Sequence, residues 1–413
     1  MVASNIYKNR QVVCCVDFSS SKLICIIANI GIDAIEILGY SHTEAKGISA
    51  GAISDVKLAQ KSIANSVAEA EKMAGINIEN VIVSLNESQL KSSYQNASEK
   101  IQKGAVQNET ISNLVSKVRN YCFKHNKEPI HIMPMQYRID DSNIIANPRY
   151  MSGEKLFAKF HLITASQTTI LNIENCFKKS KLSVPKYVSS IFASSVACLK
   201  ENELKIGTLL IDIGSESTSF CLFYDDKLCY RSSIALGGLN ITKDISSILG
   251  INLAIAEKIK ILNNTIILSS IEEQEVIKYR NLEMLQEITN KLPTRLELSA
   301  IIQARLEEIF ETLSNHLKSA KISFEMISNI VLIGGVSQTL GIDKLAKQIY
   351  QKNTRIGYPI KPNNISAEFN NITNTTALGM ITFMQNEFIK NQGLTSENNE
   401  NWLKKILNKF IKE

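Results

Sequence analysis

Residues 207–236 read GTLLIDIGSESTSFCLFYDDKLCYRSSIAL, and their layout decides the fold. An apolar strand, GTLLIDIG, carries an acid near its end, and a turn of hydroxyl residues, SEST, follows. Two further strands, SFCLFY and KLCYRSSIAL, are joined by Asp225-Asp226. Residues 12–40 have the same layout: VVCCVDF, SSSK, LICIIANI, GIDA, IEILGY. Asp17-Phe-Ser-Ser and Asp212-Ile-Gly-Ser fall at the same place in the two copies, and VIVSLN at 81 matches VLIGGV at 331. Strand–turn–strand–strand–helix repeated roughly 200–250 residues apart predicts a duplicated α/β domain. Two unrelated hairpins are the alternative, and the recurrence of the acid and the turn hydroxyls at matching offsets argues against it.

The rest of the chain fits around these copies. A length of 413 residues favours about two to four domains. With 44% hydrophobic and 21% charged residues, the composition excludes a mostly disordered, collagen-like or polytopic membrane chain. The net charge of +6 is mild and implies no nucleic acid. Its distribution is uneven: Lys404, Lys405, Lys409 and Lys412 stand against Glu413 alone in the last thirteen residues, half of the excess. Eight cysteines form no C-x-x-C pair and lie mostly in apolar runs, which predicts buried, reduced thiols in a cytosolic protein. The five histidines show no metal-ligand spacing. The opening MVASNIYKNRQ lacks the apolar core of a signal peptide, and no apolar run reaches about 18 residues, so the body is expected to be cytoplasmic and not to cross a membrane.

Residues 55–74 predict an amphipathic helix, started at Asp55 and stopped by Gly75. Residues 87–155 are polar, with a helix around 109–125 followed by IHIMPMQYRID, and predict an inserted α/β unit. FHLITAS at 160–166 is expected to resume the first lobe, with a helix over 168–180. Residues 245–325 predict helices, with a charged, strand-bearing stretch at 264–280. Residues 386–400, NEFIKNQGLTSENNE, predict a linker.

A tight turn after a buried strand aims backbone amides at one point and makes a nest for phosphate oxygens. Two such turns facing each other across a cleft can hold a triphosphate, and the acid before each can hold Mg²⁺, usually through water. Asp17 and Asp212 fit those places, with Ser19, Ser20, Lys22, Gly214, Ser215, Ser217 and Thr218 around them. Either acid could instead be a turn residue bonding its own backbone. Gly334 and Gly335 follow the strand VLI, where glycine permits close approach to a ligand. Glu257 and Lys260 share one helix face and could reach a ribose or base edge, or simply pair with each other. Gly238 begins a helix beside the second turn.

These residues, with SHTEAKGISAGAISD, HIMPMQYRID, AKFHLITA, ALGGLNITKDI, AEKIK, TTALGM and NWLKKILNKF, resemble the FtsA family of the actin-like ATPase superfamily across essentially residues 10–413. The resemblance implies an α/β, actin-like (ribonuclease H-like) duplicated two-lobe fold with an inserted α/β subdomain and a C-terminal amphipathic helix. It implies a first-lobe core at 1–85, continued at 159–195 and 366–385, and an inserted subdomain at 86–158. It places the second-lobe core at 196–245 and 326–365, the helical subdomain at 246–325, the linker at 386–400 and the membrane-targeting helix at 401–413. ATP and Mg²⁺ are the implied cofactors: Asp17–Lys22 and Asp212–Thr218 would be the phosphate loops and Gly334-Gly335 the adenosine loop. Implied partners are the C-terminal tail of FtsZ, met through 246–325 with Arg305 at the contact, further copies of the chain in filaments, and later division proteins. The implied place is the cytoplasmic face of the cell membrane at the division septum.

The chain departs from the family at Ser19, Ser215 and Glu216, where glycines are usual, and at Leu306, where a tyrosine is common. A Cβ disfavours positive φ. A Glu216 carboxylate about 4 Å from a phosphate would repel it by roughly 4 kcal/mol at an effective dielectric of 20. Nucleotide binding is therefore expected ahead of efficient hydrolysis, with no catalytic residue assigned. An actin-fold kinase or hydrolase is the second reading, although no base for a sugar hydroxyl stands out. A pilus-assembly scaffold is the third, and it would not need the tail. On a helical wheel Trp402, Leu403, Ile406, Leu407, Phe410 and Ile411 share one side, and Lys404, Lys405, Lys409 and Lys412 the other. That segregation predicts a helix lying in an anionic membrane surface, against the alternative of a helix docked on the chain's own core.

Overall fold

Runs of apolar residues without polar alternation make strands buried on both faces. VVCCVDF and LICIIANI do so in the computed structural model, as β1 (Arg10–Phe18) and β2 (Lys22–Gly31), paired antiparallel from Arg10↔Gly31 to Phe18↔Leu23. The structure describes residues 10–19, 21–102, 104–277, 293–360 and 371–392. Ser20 and the terminal residues Trp402, Leu403, Lys404, Lys405, Ile406, Leu407, Lys409, Phe410, Ile411 and Lys412 lie outside them.

After β3 (Ile35–Glu44) and the small hairpin β4 (Ile48–Ser49) and β5 (Ala52–Ile53) comes α1 (Val56–Ala74). Its start is capped by Asp55, whose Oδ1 accepts from the Leu58 amide at 3.0 Å, and its end by Gly75 at φ 69°. β6 (Asn80–Leu85) then runs parallel to β1. The insertion follows: β7 (Leu90–Lys100), α2 (Asn108–Lys124), β8 (Lys127–Ile139) and β9 (Lys155–Ser166). α3 (Gln167–Lys178), β10 (Ser183–Ser189), α4 (Ser190–Cys198) and α5 (Glu201–Ile206) lead to the second copy. That copy holds β11 (Thr208–Ile213), β12 (Thr218–Tyr224), β13 (Lys227–Ile234), α6 (Gly238–Leu249), α7 (Leu253–Leu262), α8 (Arg295–Ser319), β14 (Asn329–Ile333), α9 (Ile342–Tyr350) and β15 (Asn353–Ile356), and α10 (Thr375–Asn391) closes the described chain.

The duplication is visible in topology. One sheet has the order β3-β2-β1-β6-β10 and the other β13-β12-β11-β14-β15, with β6 and β10, like β14 and β15, added parallel. Two units result: residues 1–205, 223–232 and 358–413, and residues 206–222 and 233–357. Within the first, α10 packs on α4 so closely that a Cβ on Gly379 would overlap the Ala193 carbonyl oxygen. Seven of the eight cysteines are buried thiols, and Cys229 is half-buried.

Three expectations change. FHLITAS is the second half of β9, which pairs along its length with β7 and β8, so the expected boundary at 158–159 falls inside one strand. Residues 386–391 continue α10 because Asn386 and Ile389 are buried on its inner face, so any linker starts later than 386. The 264–277 stretch contains no strand among the described residues, only isolated bridges at Thr265 and Val276 and a short 3₁₀ turn at Glu272–Gln274. The insertion's core forms between α2 and one face of the β7-β9-β8 sheet, from residues such as Ile111, Leu114, Val118, Leu156, Phe160 and Leu162. β7 escaped the sequence pattern because its residues, LKSSYQNASEK, are mostly polar.

Candidate functional site

In the second unit β11 delivers Asp212 to a turn that ends where β12 begins. The turn closes when the Gly214 amide donates to the Ser217 carbonyl at 3.0 Å. Helix α6 starts against it: the amides of Gly238 and Leu239 donate to the carbonyls of Gly214 and Ser215 at 2.9 and 2.7 Å. Those two amides hold the turn rather than a ligand. A Cβ on Gly237 would come within 2.6 Å of the Ser215 carbonyl oxygen, so glycine is needed for this contact. None of Ser19, Ser215 and Glu216 has a positive φ, so side chains at these turn positions bring no left-handed strain. Thr218 is buried, and its hydroxyl donates to the Leu236 carbonyl at 2.8 Å, which ties β12 to the segment before α6.

Gly334 ends β14 at φ 88°, a left-handed conformation that glycine adopts freely. A Cβ there would overlap Asp212 Oδ1 and reach within 2.5 Å of the Ile213 carbonyl oxygen. A Cβ on Gly238 would stand 2.8 Å from Val336 Cγ2 and 3.5 Å from Lys260 Nζ. The 212–217 turn, the start of α6 and the 334–336 turn therefore converge, and three glycines keep side chains out of the junction. Gly335 lies at its open side, with nothing within 4 Å of the place a Cβ would take. Lys260 Nζ donates to the Gly238 carbonyl at 3.0 Å, Thr242 Oγ1 at 2.8 Å and Glu257 Oε2 at 2.7 Å, and Thr242 also donates to Glu257. Glu257 and Lys260 thus pair with each other and are tied to α6.

In the first unit Asp17 is buried at the end of β1 and accepts from Ser84 Oγ at 2.7 Å, while Ser84 Oγ accepts from the Phe18 amide at 2.8 Å. Burial pushes the Asp17 carboxyl above its usual range, opposed by the Ser84 hydrogen bond and the Lys22 charge. Ser19 Oγ donates to the Lys22 carbonyl at 2.7 Å and closes the β1–β2 turn, and Lys22 Nζ donates to the Thr373 carbonyl at 3.0 Å. The sequence reading did not single out Ser84 or Thr373. Ser84 was signalled only as the one polar residue in the buried run VIVSL.

Arg305 stands apart, on α8. It clamps Asp244 of α6 in a fork, Nε to Oδ2 at 2.6 Å and Nη2 to Oδ1 at 2.7 Å, and also pairs with Glu308. Leu306 is fully buried, so the neighbouring departure from the family lies in the core. Among the described residues no group of three or more His, Cys, Asp or Glu could enclose a metal ion, and no helix is long and apolar enough to cross a membrane.

A buried ion pair was not legible in sequence. Glu87 and Arg231 lie at 2.5 Å with both side chains excluded from solvent, and Glu87 also accepts from Ser189 Oγ and, at 3.4 Å, the Ile191 amide. Burial pushes Glu87 up against the opposing pull of Arg231.

Two family profiles match the chain: "Cell division protein FtsA" over residues 209–379 and "SHS2 domain inserted in FTSA" over 87–164. Cell division protein FtsA of Rhizobium meliloti (strain 1021) is 27% identical over 392 residues, covering 92% of this chain and 88% of the relative. That of Borreliella burgdorferi is 28% identical over 397 residues, covering 94% and 95%. Among solved structures, the PilM–PilN type IV pilus biogenesis complex has a chain similar at TM-score 0.61 and 15% identity, covering 90% of this chain and 98% of its own. MreB5 of Spiroplasma citri bound to ADP is similar at TM-score 0.56 and 12% identity, covering 93% and 99%. These structures share the actin-like fold.

Proposed function

The chain belongs to the FtsA family of cell-division proteins and has its actin-like fold, and from that premise we propose that it is an ATP-binding adaptor that tethers FtsZ filaments to the cytoplasmic membrane and recruits later division proteins. One observation carries the nucleotide part: three chain segments meet at Gly237, Gly238 and Gly334, where added side chains would collide with Ser215, Val336 and Asp212. That packing leaves the backbone bare at Gly335, where nothing lies within 4 Å of the place a Cβ would take and a nucleoside can approach it closely. In this reading the 212–218 turn and the matching 17–22 turn contact phosphates, Asp212 and Asp17 hold Mg²⁺ through water, and Lys260 and Glu257 border the ribose and base. The resident ion pair of Lys260 and Glu257 keeps both groups oriented before nucleotide arrives.

The membrane part rests on the segregated apolar and lysine faces of 402–412, and the FtsZ part on family membership. The Arg305 guanidinium is engaged by Asp244 and Glu308, so its role in partner binding is to fix α8 against α6, with the partner contact made around it. The nucleotide part is tested by equilibrium titration of purified protein with ATP and Mg²⁺. Saturable binding, weakened at least about tenfold by Lys260→Ala, is expected; no saturation up to millimolar ATP refutes it.

A further inference from the structure

The sheet of the insertion has two faces: α2 packs along one, and the other is covered at its base, where His131 meets Phe192 of α4 and Phe383 of α10. Leu156, Ala158, Phe160 and Leu162 of β9 point to α2, with Tyr137 and Ile139 of β8. Their neighbours point the other way. The register Ser98↔Phe157↔Arg138, Asn96↔Lys159↔Gln136 and Lys100↔Lys155 places Lys100, Arg138, Lys155, Lys159 and Phe157 together on the open face. All four cations are exposed, and Phe157 is half-buried between them. The cations gather on rings: Arg138 stands 5.2 Å and Lys155 4.9 Å from the Phe157 centroid, and Lys159 stands 4.8 Å from that of Tyr94.

Among the described residues, the strand positions from Asn96 to Lys100, Gln136 to Arg138 and Lys155 to Lys159 put no carboxylate on this face. Glu99, on the same strand as Lys100, points to the α2 side and pairs with Lys117 at 2.5 Å. Asp140, at the end of β8, accepts from the backbone amides of Glu154 and Lys155 at 3.1 and 2.8 Å. The face ends where His161 meets the Leu228 carbonyl at 2.9 Å and the Tyr94 hydroxyl donates to the Cys229 carbonyl at 2.6 Å, so the base of the sheet is covered and its cationic end is open. Outside the last thirteen residues the chain has an excess of only three positive charges, so four cations on one face are a local concentration that the overall charge conceals.

We propose that this open face is a second contact for an anionic bilayer surface. The proposal deepens the membrane reading above and rests on it for the nearness of a bilayer. A bound peptide would take a groove or an unpaired strand edge. These groups instead spread across three strands, roughly 13 Å along β9 and 10 Å across the sheet, which suits a plane of headgroups. Cations drawn to anionic lipid, with an aromatic ring at headgroup level, are the chemistry of an interfacial contact. Together with the terminal segment the face would make attachment bivalent and set how the insertion is turned toward the membrane.

The test is cosedimentation of full-length proteins with phosphatidylglycerol–phosphatidylcholine vesicles at low and high salt. The wild type is compared with a tail-disabled variant (Leu407→Glu with Phe410→Glu), a face variant (Arg138→Glu, Lys155→Glu and Lys159→Glu) and their combination. The tail-disabled protein should retain salt-sensitive binding, and the combination should lose it by at least about tenfold. Replacing the same three cations with Gln should give an intermediate loss, and matched thermal melts show that the variants fold. Binding that is unchanged by reversing the face overturns the proposal. So does a tail-disabled protein that binds anionic and neutral vesicles equally, an outcome that leaves the tail anchor standing. Competition by poly-L-glutamate at low micromolar concentration, with no preference for anionic lipid, would reassign the face to an acidic polypeptide and also overturn it. A wild type that binds anionic vesicles, but no better than the tail-disabled protein, refutes the tail anchor while supporting the face; a tail-disabled protein that no longer binds them overturns the proposal.

Discussion

Glu87 and Arg231 are 144 positions apart and meet with no exposure to solvent, so each depends on the other for compensation of its charge. Removing one partner of a buried pair costs about 3–5 kcal/mol because the survivor is stranded. Glu87→Gln should therefore lower the unfolding free energy in urea by that amount, and a loss below about 1 kcal/mol would show that the pair is not structural. Two buried histidines set an acid limit. Desolvation holds His131 down to about 3 and His161 down to about 4. His131 Nε2 accepts from the Ser189 amide at 3.1 Å; His161 Nδ1 meets the Leu228 carbonyl, and its Nε2 lies 2.6 Å from Ser92 Oγ, so both rings are neutral with the proton on Nδ1. The unfolded chain protonates these rings below about 6.5, and the folded one does not. Their contribution is thus complete above that pH and declines as pH falls from 6.5 toward 4, approaching about 1.4 kcal/mol per unit for each ring. Stability measured by urea unfolding should follow that slope, and His161→Gln should flatten it; an unchanged slope would contradict the assignment.

Among the elements, helix contacts and turns depend on single glycines. Gly379 lets α10 lie against α4, and Gly379→Ala forces a Cβ into the Ala193 carbonyl, so a loss of about 3 kcal/mol or more is expected in thermal or urea unfolding. Gly334→Ala acts at the junction of Asp212 and the 334–336 turn, where it meets both a left-handed backbone and the Asp212 carboxylate. It should weaken ATP binding at least about tenfold in the same titration as the wild type, more than its effect on melting alone would produce. The elements differ in how plainly the sequence announced them. β1 and β11 are apolar runs ended by an acid and hydroxyls, β2 and β12 are the apolar runs that follow them, and α1 carries both of its capping residues, so these were legible. β7 was not, because a strand with an open, polar face looks like loop. The last turn of α10 was hidden because Asn386, Glu387, Lys390 and Asn391 look like linker until Asn386 and Ile389 are read on the buried face with Phe383.

At the level of the whole molecule, duplication made the candidate site readable, since Asp17 and Asp212 gain meaning from each other. What duplication could not show was which groups hold them. Ser84 beneath Asp17 and Gly334 against Asp212 come from strands far along the chain, and only parallel pairing brings them in. Glu87 with Arg231 and Arg305 with Asp244 are likewise products of tertiary structure, without a local pattern. The proposed coupling of FtsZ to a membrane in a nucleotide-bound state joins these parts into one function. It is tested most directly by adding fluorescent FtsZ to phosphatidylglycerol-containing vesicles with the full-length protein, with and without ATP. FtsZ is expected on the vesicles only when the protein is present, more of it with ATP, with recruitment lost in the Leu407→Glu and Phe410→Glu variant. FtsZ that stays in solution while the protein itself is bound to the vesicles, with or without ATP, would contradict it.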